Sequence, residues 1–422
     1  MQTQLKGKKL LMLGGVSYAS YVKDYADQNG FSLFSAGSVV NEEMKKHSKD
    51  FFIAEATDVQ AICDVVKHNK IDGIISLGNE DIINSTIKVC EKMNLSFYLD
   101  NKNWRELQDK KRFKQHCKEF GIDTVFEYSL PREVTDEELK NLPYPIVFKP
   151  TDSCGSKGIT ICYNFLDVKK AIKKALRYSR SQNYIVEKYM QCPEFIVSYI
   201  FVDGNVYVWM LGDRYMNTEQ QGYGALSNLS VFPSRYSELY FNNVHSKMIA
   251  LLKKYGPKNG TMFIQAFIDD DKIRFFDPGL RFCGTLDTII YDYVCGVNPL
   301  HWMVNHSLTG KMCSQDELKK MDWKLGGKTC AQLSVLIKPG RISKIEGIEN
   351  VKAIKGVINV VQLLHVDDVV DMVGTLQQVL LRVHIVADSK KQIDCIVKNI
   401  YNQVIVEDEN KNDMKLPYFN EK

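Results

Sequence analysis

Through roughly the first hundred residues, apolar runs of strand length alternate with stretches of helical character. The runs are Lys9 to Gly15 (KLLMLGG), Phe31 to Ala36, Phe51 to Ala54, Gly73 to Leu77 and Ser96 to Leu99. Between them, Tyr18 to Asn29, Val59 to His68 and Asp81 to Met93 read as helices. Strands alternating with helices predict a parallel sheet with crossover helices. Gly14-Gly15 closes the first run. A glycine pair there is a tight turn or a phosphate cradle, and without a full GxGxxG the turn is preferred.

Further along, Asn103 to Glu119 forms a charged amphipathic pattern stopped by Gly121. Thr135 with Glu138 is a capping box. Tyr144 to Pro150 is a strand bounded by prolines, and Asn164 is placed to cap a helix running to Tyr178. Strands are expected at Tyr184 to Glu187, Phe195 to Val202 and Val206 to Leu211, the last ending in Asp213-Arg214-Tyr215. Thr218 to Asn228 is polar and glycine-containing, which predicts a mobile loop. Met262 to Ile268 and Ile273 to Phe276 predict a hairpin around Asp269-Asp270-Asp271. From about Lys311, turns, strands and helices alternate again, with no internal repeat.

The chain has 422 residues, 45% of them hydrophobic. That implies about two to four domains or subdomains. Net charge is only +4, with no block of like charges, so nucleic acid is not an expected partner. No stretch of ~18 apolar residues is present, so no membrane span is expected. Met1 to Lys6 lead straight into an apolar strand, unlike a signal peptide. Eleven cysteines without a CxxC pair read as reduced thiols in a cytoplasm.

Three elements carry candidate chemistry. A strand delivers Lys149, and a loop with two glycines follows, Thr151-Asp152-Ser153-Cys154-Gly155-Ser156-Lys157-Gly158. Glycine lets backbone N–H groups wrap an anion, and lysine supplies a point charge for phosphate. The loop is not a Walker A sequence, and taken alone such a segment is more often only a turn. The second element is Ile185-Val186-Glu187-Lys188-Tyr189-Met190 followed by Glu194. It reads equally as a nucleotide-facing strand end or as surface ion pairs.

In the third element, Gln265 and Asp277 lie twelve residues apart across the aspartate turn, with Arg281 four residues further. On paired strands both oxygen ligands would reach one site, which suits Mg²⁺ shared with substrate phosphates. An arginine there can clamp a carboxylate or a transferring phosphoryl group. Arg214 reads equally as a substrate-binding residue or half of a surface pair with Asp213. His301 and His306, five apart, are assigned structural roles, and Cys154 is small enough to be mere filling.

The order and spacing of these elements resemble the ATP-grasp superfamily, in particular its branch containing biotin carboxylase, carbamoyl-phosphate synthetase and amino-acid ligases. Asp109-Lys110 matches the Asp-Lys pair that opens the central region, Lys149 the lysine of the lid strand, and Cys154 to Gly158 the flap over the phosphates. Glu187 and Glu194 match the acidic residues at the hinge strand and the ribose. The resemblance implies a mixed α/β and α+β chain: a Rossmann-like α/β domain over 1–100, an ATP-grasp domain over 101–310 with a mobile lid at about 123–187, and a small α+β domain over 311–422. It implies ATP and Mg²⁺ as cofactors, with Lys110, Lys149, Gly155, Ser156, Lys157, Gly158, Glu187, Lys188, Met190 and Glu194 around the nucleotide. Asp277 and Gln265 would face the metal, and Arg281 and Arg214 the reaction.

Three departures stand out: the family usually has glutamate at the position of Gln265, asparagine at that of Gly279, and glutamate where the shorter Asp277 stands. The implied activity is ligation of a small-molecule carboxylate to an amine through an acyl phosphate, with a homodimer as a compatible assembly. A bicarbonate-using carboxylase and a nucleotide-binding regulator without ligase chemistry are the alternatives.

Overall fold

The computed structural model describes residues 2–78, 80–130, 135–152, 157–217 and 226–418. Gly155 and Ser156, together with Cys154 and the 218–225 part of the expected loop, lie outside the described residues.

Strands β1 (Lys9–Leu13), β2 (Ser32–Gly37), β3 (Asp50–Ile53) and β4 (Gly73–Ser76) form a parallel sheet in the order β3-β2-β1-β4. Helices α2 (Ala19–Asn29), α3 (Glu42–His47) and α4 (Val59–Asn69) make the crossovers that parallel pairing requires, after a first turn α1 (Gln2–Leu5). Helix α5 (Glu80–Met93) leaves the end of β4. Leu10 and Met12 face one buried cluster and Leu11 and Leu13 another, as alternation along a strand buried on both faces demands. Gly14 and Gly15 both have positive φ, and a Cβ on Gly15 would lie 2.4 Å from Leu77 Cβ. The pair is therefore a tight turn pressed against the end of β4.

Two expectations are corrected here. Ser96 to Leu99 is not a strand, although Tyr98 and Leu99 are buried. Its apolar pattern reports packing without a hydrogen-bonded neighbour, and the Tyr98 hydroxyl donates to Leu280 O at 2.8 Å. The charged stretch from Asn103 is not one helix but two, α6 (Asn101–Gln108) and α7 (Lys110–Glu119). Asp109 sits between them with extended backbone and accepts from Arg112 N, so it caps α7 and makes Lys110 its first residue.

A four-stranded sheet, ordered β5-β8-β6-β7, follows: β5 (Glu127–Tyr128), β6 (Ile146–Pro150), β7 (Thr160–Cys162) and β8 (Tyr184–Lys188). With α8 (Asp136–Lys140) and α9 (Val168–Tyr178) it encloses its own small core, including Ile146, Phe148, Val168 and Val186. The Thr135–Glu138 capping box starts α8, and Asn164 accepts from Leu166 N ahead of α9, as the sequence suggests.

The largest sheet has eight strands: β9 (Glu194–Val202), β10 (Asn205–Asn217), β11 (Leu226–Phe232), β12 (Gly260–Asp269), β13 (Lys272–Gly279), β14 (Thr329–Leu336), β17 (Val357–Gln362) and β19 (Val379–Ala387). Their order is β13-β12-β9-β10-β11-β14-β19-β17. Short pairs β15 (Gly340–Arg341) with β18 (Val369–Val370), and β16 (Lys344–Glu346) with β20 (Ile405–Glu407), stand beside it. Asp213 to Tyr215 lie inside β10 rather than at its end, and Leu226 to Asn228 belong to β11 rather than to a loop. The sheet continues without a break past residue 310.

One register row crosses most of this sheet. Glu194, Arg214, Ser230, Gln332, His384 and Asn359 are successive cross-strand partners on β9, β10, β11, β14, β19 and β17. Directly paired residues project on the same face, so a line of polar side chains runs across an otherwise apolar sheet. His301 and His306 sit on a buried helix, Pro299–Thr309, where His301 stacks on Tyr25 with centroids 3.8 Å apart.

Candidate active site

The site is built where α7, the β5–β8 sheet and the β12–β13 hairpin meet. Capping by Asp109 fixes the start of α7, and the 3.6-residue period puts Lys110 and Lys114 on one side of it. Both are buried, at 6% and 7% exposure. Burial of two lysines demands partners, and each has one. Lys110 Nζ lies 2.7 Å from Asp277 Oδ1, and Lys114 pairs with Glu187 while donating to Val125 O at 3.0 Å.

Lys149 comes from the neighbouring strand. On β6 it stands two residues beyond Val147, the partner of Glu187 on β8. Same-face alternation then brings its ammonium 2.6 Å from Glu187 Oε2. Burial pushes the Lys149 pKa down; Glu187 works against this, while Lys110 and Lys114 reinforce it. Lys149 also lies 5.3 Å over the Phe276 ring, which stacks on Phe267. Three ammonium groups thus gather around Glu187 and Asp277, with a third carboxylate, Glu127, 3.5 Å from Lys114 Nζ.

The hairpin forms as the sequence spacing suggests. Gln265 and Asp277 are direct register partners, so their side chains leave the same face. Burial raises the Asp277 pKa, but Lys110 and Lys149 outweigh it and hold the carboxyl below its ordinary value. Asp277 therefore stays an anionic oxygen ligand at neutral pH. Among the described residues no group of three or more His, Cys, Asp or Glu is gathered for a metal. One carboxylate beside one amide oxygen fits Mg²⁺ that keeps waters and arrives with phosphate oxygens, rather than a metal caged by protein alone.

Glu194 and Arg214, adjacent partners in the polar row, form a part-buried ion pair. Burial raises the Glu194 pKa and Asp277 adds to the rise, while Arg214 opposes it. Arg281 Nε donates to Glu80 Oε1 at 3.0 Å, its Nη1 to Phe282 O at 3.0 Å, and its guanidinium lies 5.1 Å over Phe263. Glu80 opens α5, so this bond ties the first sheet to the hairpin. Asp287, the acid nearer in sequence, is not its ion-pair partner.

The remaining candidates are more dispersed. Gly158 has φ +81° and packs under Pro150, where a Cβ would approach Pro150 Cγ to 2.7 Å. Lys157 and Lys188 are exposed, and Lys188 N donates to Phe126 O at 3.0 Å. Met190 is buried at 8% exposure. Lys114 and Glu80, which contact the candidate residues, have no place in the sequence reading. Lys114 had a local signal, one helical turn after Lys110.

Comparison with known proteins bears on the fold. The family model for the D-ala D-ala ligase C-terminus matches residues 123–225. The carbamoyl phosphate synthase large chain of Clostridium acetobutylicum is 20% identical over 287 residues, covering 65% of this chain and 26% of the relative. The small subunit of Hydrogenobacter thermophilus 2-oxoglutarate carboxylase is 22% identical over 51% of this chain and 47% of its own. This chain thus matches between a quarter and a half of the length of these curated relatives. Among solved structures, an L-amino acid ligase from Bacillus licheniformis superposes with a TM-score of 0.79 at 16% identity, covering 96% of this chain and 100% of that one. The biotin carboxylase domain dimer of the Hydrogenobacter thermophilus enzyme gives 0.74 at 15% identity, covering 95% and 90%. Residues 123–225 thus match a ligase family model, and the chain as a whole shares its fold with an amino-acid ligase and a biotin carboxylase domain, so it is similar to ATP-grasp ligases.

Proposed function

We propose that the protein joins a small-molecule carboxylate to an amine through an acyl phosphate, releasing ADP and phosphate. The observation that carries this reading is the convergence of Lys110, Lys114 and Lys149 on Asp277 and Glu187. Three ammonium groups are gathered there in a largely buried setting, where each charge acts strongly on a polyphosphate.

A free carboxylate is a poor acyl donor because its leaving group would be oxide. ATP, carried with Mg²⁺, supplies the phosphoryl group that turns this oxygen into a good leaving group. Lys110 and Lys149 hold phosphate oxygens, with Gly155, Ser156, Lys157 and Gly158 closing over them. Glu187, Lys188 and Met190 line the base, and Glu194 accepts from the ribose. Asp277 and Gln265 supply the protein's oxygens to Mg²⁺. Arg281, oriented by Glu80, holds the activated carboxylate through its planar fork. Arg214 keeps donors beyond those Glu194 takes and faces the substrate.

An acyl phosphate must be kept from water. The separate small core of the β5–β8 sheet supports reading residues 123–187 as a lid. We assign 1–100 as a Rossmann-like domain, 101–310 as the ATP-grasp domain and 311–422 as the C-terminal domain, the last sharing the eight-stranded sheet with the second. No helix among the described residues is long and apolar enough to cross a membrane. We assign the protein to the cytoplasm and carry the homodimer as an expectation.

A carboxylase using bicarbonate is the second reading, favoured by the fold match to a biotin carboxylase domain. A screen of ADP release over carboxylates, bicarbonate and amines, with mass detection of products, tests both.

A further inference from the structure

A groove of about 700 Å³ opens beside the candidate site, between α7 and the segment 121–127 that leads from it into β5. Lys111, Lys114, Gln115 and Lys118 form one wall. They recur at i, i+3, i+4 and i+7, so one face of α7 turns three ammonium groups towards one space. Phe126 belongs to the other wall and is 60% exposed. Its ring stands at 70° to that of Tyr128, with centroids 4.9 Å apart. Lys110, Lys149, Gln265 and Asp277 do not line the groove; Lys114 belongs both to it and to the lysine cluster.

The charges of the groove are unequally committed. Lys114 pairs with Glu187, donates to Val125 O at 3.0 Å and stands 3.5 Å from Glu127, itself a lining residue. Lys111 and Lys118 are exposed and form no ion pair among the described residues. Asp123 is the one further acid in the lining, so two open ammonium groups face one open carboxylate. The second wall is tied down by its backbone. Val125 N donates to Phe275 O at 3.3 Å, Phe275 N to Asp123 O at 3.1 Å, and Lys188 N to Phe126 O at 3.0 Å. The wall is thus joined to β13 and β8, while the Phe126 ring is left facing the open space.

We propose that this groove binds a nucleoside phosphate, separate from any nucleotide at the lysine cluster, with its base stacked on Phe126 and its phosphate held by Lys111 and Lys118. The volume is in the range that takes a small-molecule ligand. Every base has a face on which an aromatic ring can stack, and lysine meets phosphate as a point charge. Phosphate alone leaves Phe126 unused, and an uncharged aromatic leaves both ammonium groups unused. That the ligand is a second nucleotide rests on reading the lysine cluster as the first site; the groove itself does not.

The test is calorimetry on the full chain with Mg²⁺ present, titrating nucleoside mono- and diphosphates of each base, with pyrophosphate and ribose 5-phosphate alongside. At least one nucleotide shows a binding event that Lys149→Ala leaves unchanged. Phe126→Ala, and Lys111→Ala combined with Lys118→Ala, each weaken that event about 10-fold or more, the scale of one lost base stack or charged contact. Both variants keep the Lys149-dependent event and the wild-type melting temperature. Pyrophosphate and ribose 5-phosphate bind there about 10-fold more weakly than the nucleotide. The absence of any event independent of Lys149, or an event that both groove variants leave unchanged, overturns the inference. Pyrophosphate or ribose 5-phosphate binding as tightly as every nucleotide also overturns it. A groove event without any Lys149-dependent event supports the groove and overturns the nucleotide reading of the lysine cluster.

Discussion

Lys110 Nζ and Asp277 Oδ1 lie 2.7 Å apart, joining the first residue of α7 to the strand that carries the metal-facing carboxylate. The contact helps hold Asp277 anionic and gives the buried Lys110 a partner. It also makes Asp277 the one carboxylate on the matched hairpin positions, since its register partner is Gln265. Asp277→Asn is expected to abolish turnover while leaving the fold intact, as shown by an unchanged circular dichroism spectrum. Gln265→Glu restores a carboxylate pair and is expected to tighten Mg²⁺. Unchanged ADP release by Asp277→Asn contradicts the metal assignment.

Lys149 is expected to govern nucleotide affinity. Its ammonium shares Glu187 with Lys114, so its removal leaves the carboxylate one partner and avoids an orphaned buried charge. Lys149→Ala is therefore expected to fold and to bind ATP–Mg²⁺ at least ~10-fold more weakly, the scale of one charge-assisted contact. Equal affinity by calorimetry would remove Lys149 from the phosphate site.

Arg281 and Glu80 form a long-range pair that orients the guanidinium. Arg281→Lys keeps the charge and loses the fork. Its expected outcome is nearly unchanged ATP binding with turnover lower by ~10²-fold or more, the order for one preorganised transition-state contact. Glu80→Gln is expected to lower turnover in the same direction by a smaller factor. Near-native turnover of Arg281→Lys would place the residue outside the chemistry.

Asp287 gives a stability signature. Its folded pKa, about 6 through burial, is above the ordinary aspartate value of 3.8, despite Thr285, Arg382 and Arg214. Between those two values the folded state binds more protons than the unfolded one, so this group's contribution to stability falls as pH rises. Asp287→Asn removes that penalty. The variant is expected to melt above wild type at pH 7 to 8, with the difference shrinking as pH falls through 6 towards 4. A melting difference independent of pH would contradict the raised pKa.

Sequence pattern made the hairpin legible because its aspartate turn and flanking apolar strands are local. It made Lys149 legible because strand and glycine loop adjoin. It misread the helix break at Asp109, since charged residues with helical spacing continue on both sides and only the cap's backbone separates them. Lys114 looked like part of a solvated face, because periodicity does not say what the charged side meets. Glu80 had no signature at all: its partner lies 201 residues away.

ADP release measured with ATP–Mg²⁺ and pairs of small carboxylates and amines tests the central claim most directly. The account predicts steady release that needs both a carboxylate and an amine, with a product whose mass equals their sum less one water. ATP binding with no ADP release from any pair would contradict it and leave a nucleotide-binding regulator in place of a ligase.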